Sequence, residues 1–314
     1  MLAASIRNGT LVVGEVPDPV PGSGEVLVRV HAAGLNNADR LQIAGHYPAP
    51  PGSPSDIPGL ELAGEVEAVG PGAFRFQVGD RVMAVVGGGA MAERCVVHER
   101  TLIPVPAGLS WAEAGGFPEA FTTAHDALVT QCGLVTGERV LVSGAAGGVG
   151  VAGVQIAAVM GCEVVASVRS EALRERVREL GATLVVDPAD VESHGPYDAV
   201  LELIGATNMA ANLRSLATGG RISVIGVGGG GSRAEIDLRA VMARRARIMG
   251  STLRARPLEQ KADAARRVEV QLLPHLAAGR LRVPIEAELP LAEVNRAYER
   301  FAAGGKFGKL VVTM

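Results

Sequence analysis

From Arg139 onward the apolar positions of the chain form short unbroken runs, separated by stretches in which apolar residues recur at helical spacing. Arg139 to Ser143, Glu163 to Val168, Thr183 to Val186, Tyr197 to Leu203, Arg221 to Val227 and Arg247 to Leu253 read as strands. Val149 to Met160, Glu171 to Leu180, Asn208 to Leu216 and Asp237 to Arg244 read as the helices between them. Strands that are apolar throughout are buried on both faces, so the alternation predicts a parallel, doubly wound α/β sheet. Six strands complete a Rossmann-type fold. Up to about Leu102 the pattern differs, with short strands at Leu11 to Val16, Val26 to Ala33, Leu62 to Val69, Arg81 to Val86 and Arg94 to His98. Pro17, Pro19, Pro21, Gly22 and Gly24 separate the first two, and the proline-rich run Pro48 to Pro58 is incompatible with a central strand. A small, irregular β-barrel-like domain is expected there. After Pro257 come a helix Leu258 to Ala278, a proline-bounded strand, a helix Leu291 to Ala303 and a strand Lys309 to Thr313, expected to return to that first domain.

Length and composition narrow the class. The 314 residues are 48% hydrophobic and 20% charged, which excludes an unfolded, self-repelling chain. A net charge of −3 provides no general attraction for nucleic acid or anionic membranes. Cys95, Cys132 and Cys162 are too few and too scattered for a disulfide framework or a paired zinc knuckle, and they imply a reducing, cytoplasmic compartment. No secretory signal is evident at the N-terminus. The apolar stretch Val140 to Val168 is long enough to suggest a membrane span, but Gly144, Gly147, Gly148 and Gly150 suit a buried strand turning sharply into a buried helix.

That turn carries the first chemical signal. In Val140-Leu-Val-Ser-Gly-Ala-Ala-Gly-Gly-Val-Gly150, small residues lie between a strand and a helix N-terminus, where backbone N–H groups and the helix dipole attract a pyrophosphate. The three spaced glycines of the dinucleotide fingerprint correspond to Ala145, Gly147 and Gly150, so the first is substituted. At the end of the next strand, NAD sites use a carboxylate for the ribose 2′-hydroxyl, whereas NADP sites use arginine or hydroxyls for the added phosphate. Ser167-Val168-Arg169-Ser170 has no carboxylate before Glu171, and Arg169 is suited to a two-point contact, with Arg174 one turn further on. The turn predicts NADPH; Arg169 as a plain solvated charge is the alternative.

Further motifs are Gly34-Leu-Asn-Asn-Ala-Asp39, Gly45-His-Tyr47, Gly59-Leu-Glu-Leu-Ala-Gly-Glu-Val66, Val78-Gly-Asp-Arg-Val82, Pro118-Glu-Ala-Phe-Thr-Thr-Ala124 and Gly308-Lys309. Together with Ala145-Ala-Gly-Gly-Val-Gly150 they make the chain resemble the medium-chain dehydrogenase/reductase family, and within it the zinc-free NADPH:quinone oxidoreductases, over nearly its whole length. The resemblance implies a GroES-like catalytic domain (1–122 and 258–314), a Rossmann NADPH-binding domain (123–257), a cofactor held in the cleft between them, and commonly a homodimer. It places Asn36 where zinc-dependent members have Cys, Leu60 where they have His, and Glu119 at the third ligand position. One carboxylate does not hold Zn²⁺, so no metal site is expected. It also places the candidate catalytic residues Asn36, Asp39 and Tyr47 beside nicotinamide and acceptor. Tyr47 is either a proton donor or a packing residue. Thr123 is implied near the nicotinamide ribose, Gly147, Gly148 and Val149 on the pyrophosphate, Ser167, Arg169 and Ser170 at the 2′-phosphate, Gly226 and Val227 beside the nicotinamide, and Lys309 near the phosphates.

Without a metal to lower an alcohol's pKa, reduction of an already electrophilic acceptor is favoured over alcohol oxidation. The leading expectation is hydride transfer from NADPH to a small-molecule quinone. Its enzymatic rival is reduction of an alkenal, enone or enoyl double bond, decided by the pocket around Tyr47, Phe74, Phe117 and Phe121. A non-catalytic, NADPH-gated RNA-binding or crystallin-like protein is the rival from another class, and 3% aromatic residues give base stacking little to work with. The arginines Arg244, Arg245, Arg247, Arg254 and Arg256 read as a solvated helix end or as a dimer edge formed by the last Rossmann strand.

Overall fold

The computed structural model describes residues 1–314. The chain divides into two compact units, one of residues 1–122 with 253–314 and one of residues 123–252. Residues 253–257, expected with the Rossmann segment, belong to the first unit.

The second unit is the parallel sheet that the hydrophobic pattern predicts. Its six strands lie in the order Leu184–Val186, Glu163–Ser167, Arg139–Val142, Tyr197–Glu202, Leu216–Val224 and Arg247–Gly250, and all neighbours run parallel. Val140, Leu141 and Val142 of a central strand are fully buried, which is why that strand shows no polar alternation. The helix Gly148–Val159 has eight buried residues, Gly150 through Ala157, and so also reads as an apolar run. No helix of the chain is long and apolar enough to cross a membrane. The fifth strand begins at Leu216 rather than Arg221, because a shift in register between Tyr197 and Ala199 accommodates Gly219 and Gly220 inside it. It ends at Val224, since the Ile225 and Gly226 amides both turn to the Glu202 carbonyl.

The first unit contains the antiparallel hairpin Leu2–Arg7 with Thr10–Glu15 and a seven-stranded sheet. Glu25–Gly34 is the hub of that sheet. It pairs with Glu61–Val69 on one side, and on the other with Arg94–His98 along its first half and Lys309–Thr313 along its last residues. The path ends in Ile285–Pro290 and Leu102–Pro104, which do not pair with each other, so the expected barrel is an irregular open sheet. Val26, Val28, Val30, Leu62, Val66, Val82 and Ala84 form its core with Leu310 and Val312 of the terminal strand, and Val294, Ala297 and Tyr298 of the helix Val294–Ala303 cover it. Asn37–Ile43, Trp111–Gly116 and Pro118–His125 are short helices that no long apolar period announced.

Candidate functional site

In the second unit the glycines after the first Rossmann strand set the backbone path. Gly144 has φ +62°, a conformation that side chains disfavour, and a Cβ on Gly150 would lie 2.4 Å from the Gly144 carbonyl oxygen. The helix therefore packs against the turn itself. Ala145 is fully buried and its amide donates to the Ser167 carbonyl, joining the ends of two strands, so the position that lacks the fingerprint glycine still demands a small residue. Gly147 is the N-cap of Gly148–Val159, no side chain caps that helix end, and a Cβ at Gly147 would meet nothing closer than 3.6 Å. First-turn amides have no partners within their own helix, so Gly148 and Val149 fit an anionic pyrophosphate, while Gly147, whose own amide donates to the Gly144 carbonyl at 3.2 Å, leaves open space for its approach.

Ser167 ends the second strand and is buried, while Arg169 and Ser170 are exposed and Arg169 makes no ion pair or hydrogen bond. Arg174 is committed elsewhere, with Nε donating to the Val168 carbonyl at 3.1 Å and its guanidinium paired to Asp187 at 2.7 Å. Of the two arginines, only Arg169 is available to a ligand.

The loop Gly226 to Gly231 is latched, not a loose connection. A Cβ on Gly226 would sit 2.3 Å from the Leu203 carbonyl oxygen, and the Gly229 and Gly230 amides both donate to the Ile204 carbonyl. Val227 is left exposed. Beneath lies Glu202, fully buried, which accepts from the Ile204 and Gly205 amides, Ser143 Oγ, and the side-chain amides of Asn208 and Asn212. It joins the glycine turn to the Gly226 loop. Sequence reasoning missed Glu202; an acidic residue in an otherwise apolar strand was the available signal. Thr123 is buried in the helix Pro118–His125.

In the first unit Asn36, Asp39 and Lys309 are brought together around Glu61. Glu61 is fully buried; Oε1 accepts from Asn36 Nδ2 at 2.9 Å and from the Lys309 ammonium at 2.5 Å, and Oε2 accepts from the Glu119 amide at 2.8 Å. Gly34 makes the room, since a Cβ there would meet Glu61 Oε1 at 2.3 Å. Lys309 also donates to the Leu35 carbonyl and to Asn36 Oδ1, both at 2.9 Å. Its three N–H donors are thus all engaged inside this cluster. The Asn36 amide is fixed between an acceptor on its nitrogen and a cation on its oxygen. Asp39 is fully buried, accepts from the Asn36 backbone N–H at 2.8 Å through Oδ2, and leaves Oδ1 near the buried Tyr298 hydroxyl without regular hydrogen-bond geometry. Burial pushes its carboxyl up to about 7 against the pull of the Asn36 amide and Lys309.

Tyr47 is half-buried, and burial raises its phenol pKa while the neighbouring Arg254 opposes the rise. Arg254 is only 4% exposed, which corrects its reading as a solvated surface charge. The expected aromatic pocket does not form. Phe74 is 88% exposed, and Phe117 and Phe121 are stacked with centroids 4.4 Å apart in the core. Phe74 sits in a turn whose amides are tied to Glu99, so it points out of the first unit's core. The three cysteines are free and buried. No three His, Cys, Asp or Glu side chains converge as metal ligands, and Leu60 and the engaged Asn36 supply no ligand at the positions where zinc-dependent members of the resembled family hold theirs.

Residues 22–107 match the alcohol dehydrogenase GroES-like domain, and residues 148–269 match the zinc-binding dehydrogenase family. The human (Homo sapiens) quinone oxidoreductase is 30% identical over 312 residues, covering 96% of this chain and 92% of that protein. Among solved structures, an NAD-dependent alcohol dehydrogenase superposes with a TM-score of 0.88 at 30% identity, over the whole of both chains. A mycobacterial protein complexed with NADPH superposes with a TM-score of 0.88 at 26% identity. With both domain families matched in the order in which the fold lays them out, the chain belongs to the medium-chain dehydrogenase/reductase family of oxidoreductases, enzymes that use a nicotinamide cofactor.

Proposed function

We propose that the enzyme is a zinc-independent NADPH:quinone reductase. The observation that carries this reading is the cluster at Asn36. Where zinc chemistry would need thiolate and imidazole, an amide is held between a buried carboxylate and a buried ammonium, so there is no ligand set to polarise an alcohol. An acceptor that is already electrophilic requires less, namely a positioned hydride donor and a hydrogen bond to the oxygen that gains charge. Relatives named quinone oxidoreductase support that acceptor class.

Bound NADPH supplies the hydride. Gly147, Gly148 and Val149 would hold its pyrophosphate, Ser167, Arg169 and Ser170 its 2′-phosphate, and Thr123, Gly226 and Val227 its nicotinamide end. Solved relatives include an NAD-dependent and an NADPH-complexed protein, so the choice of NADPH rests on the unpaired Arg169. Tyr47, protonated at neutral pH, would hydrogen-bond the acceptor oxygen. Asp39 is fully buried and acts by positioning Asn36. The protein would pair as a homodimer along Arg247–Gly250, an edge strand beside a helix that leaves Leu238 and Met242 71% and 76% exposed.

The test is turnover with NADPH and NADH against ortho- and para-quinones and small enones, with elemental analysis of the same sample. Quinone reduction with NADPH and no stoichiometric zinc is expected. Reduction of enones alone would replace the reading by a double-bond reductase, and no turnover with any acceptor would overturn it. Arg169→Ala should weaken NADPH binding about ten- to a hundredfold and NADH binding hardly at all. An equal loss for both cofactors would show that Arg169 acts through local folding.

A further inference from the structure

We propose that Arg254 is the positioning residue for Tyr47, a buried clamp that fixes the irregular segment carrying the tyrosine and thereby the way an acceptor is presented to it. The functional half of this inference rests on the reading of Tyr47 as the acceptor's hydrogen-bond partner.

Tyr47 lies in residues 44–60, a stretch with no helix or strand. The Gly45, His46 and Tyr47 amides donate back to the carbonyls of Gln42 and Leu41, but Pro48, Pro50, Pro51, Pro54 and Pro58 have no N–H to give, so beyond Tyr47 the segment depends heavily on donors that reach its carbonyls. Arg254 supplies the donors. One terminal nitrogen reaches the Tyr47 carbonyl at 2.9 Å and the Pro48 carbonyl at 3.4 Å, and Nε reaches the Gly87 carbonyl at 2.9 Å. The other terminal nitrogen bonds the side-chain oxygen of Gln42, whose amide nitrogen donates onward to the Ser55 carbonyl at 3.1 Å. One guanidinium therefore ties Tyr47 to the helix before it and to the Gly87 turn, and its central carbon also lies 4.9 Å from the centroid of the Tyr47 ring.

Every oxygen that Arg254 bonds is neutral, and it makes no ion pair although it is almost fully buried. A buried cation without a contacting counter-charge is costly, and a neutral core side chain would fill the space more cheaply. What a neutral residue cannot reproduce is the planar fork that holds four oxygens at once, nor can lysine, which offers a point charge. The burial that raises the Tyr47 phenol is offset in part by this same cation, so the clamp also acts on the proton at the hydroxyl.

Two readouts test the proposal. Hydrogen exchange of peptides covering residues 44–57 should accelerate about tenfold or more in Arg254→Met and less in Arg254→Lys, with the strand Lys309–Thr313 unchanged. Quinone kcat/KM at saturating NADPH should fall about tenfold in Arg254→Met, but by less than about twofold when the same change is made in a Tyr47→Ala background. Arg254→Lys keeps a cation at the site and gives the same comparison should the methionine variant fail to fold. Wild-type exchange in both variants, or an equal kinetic loss in both backgrounds, would overturn the proposal. A wild-type enzyme that reduces no quinone or enone would instead overturn the proposed function, and the exchange measurement would still decide whether Arg254 is the clamp.

Discussion

Glu202 in the second unit and Glu61 in the first are both fully buried carboxylates that hold chain segments together, yet their partners differ in kind and in origin. Glu202 is met only by neutral donors, and four of the five, the Ile204 and Gly205 amides with Asn208 and Asn212, come from the ten residues that follow it. Glu61 is met by Asn36, by the Glu119 amide and by Lys309, which the fold gathers from distant parts of the chain. Amide dipoles spread over a local loop share the charge, so the loss of one leaves the others. A buried ion pair has no such reserve, because removing either partner leaves the other charge stranded.

The largest effect should come from stranding that charge. Lys309→Met is expected to cost about 3–5 kcal/mol, with Lys309→Met/Glu61→Gln recovering a substantial part, as read from urea unfolding. A single-variant loss below about 1 kcal/mol would erase the contrast between the two carboxylates.

Asp39 sharpens the contrast through pH. Its carboxyl holds a proton up to about pH 7 when folded, whereas the unfolded group loses it near 3.8, so between those values the native state binds the extra proton and stability falls as pH rises. Asp39→Asn removes that slope. Relative to wild type the variant should gain up to about 4 kcal/mol between pH 4 and pH 8, as followed by unfolding at a series of pH values. A difference that stays flat would mean that Asp39 is ionised throughout.

Glu202→Gln should cost less than the lysine change, about 1.5–3 kcal/mol, because charge-assisted bonds weaken while most donors keep an acceptor. Calorimetry that ranked it above Lys309→Met would reverse the comparison. The smallest effect is expected at Arg174, whose half-exposed pair with Asp187 is worth about 0.5–1 kcal/mol. Arg174→Ala should leave the ratio of NADPH to NADH dissociation constants unchanged, and a marked shift in that ratio would return Arg174 to the phosphate site.

Much of the second unit is legible in the sequence because its determinants are contiguous. Apolar runs, helical spacing and the glycines from Gly144 to Gly150 act on immediate neighbours, and Ser167 to Ser170 form one turn at a strand end. Strand limits near Gly219 and Gly226 are not legible there, because a register shift and the Glu202 carbonyl, both supplied by another strand, decide them.

The first unit shows where such reading stops. The alternation of strand and helix from Arg139 and the proline-rich stretch around Tyr47 are read directly from the residues, and the resemblance of the chain to its family implies that Asn36 and Leu60 stand where zinc-dependent members have ligands. It takes the folded chain to show that Lys309 is paired with Glu61, that Phe74 faces solvent, and that Arg254 is buried against the Tyr47 carbonyl and is not a surface charge. Propensity and periodicity act over a few residues, whereas the partner of a buried charge is set by which distant segments the core brings within about 3 Å.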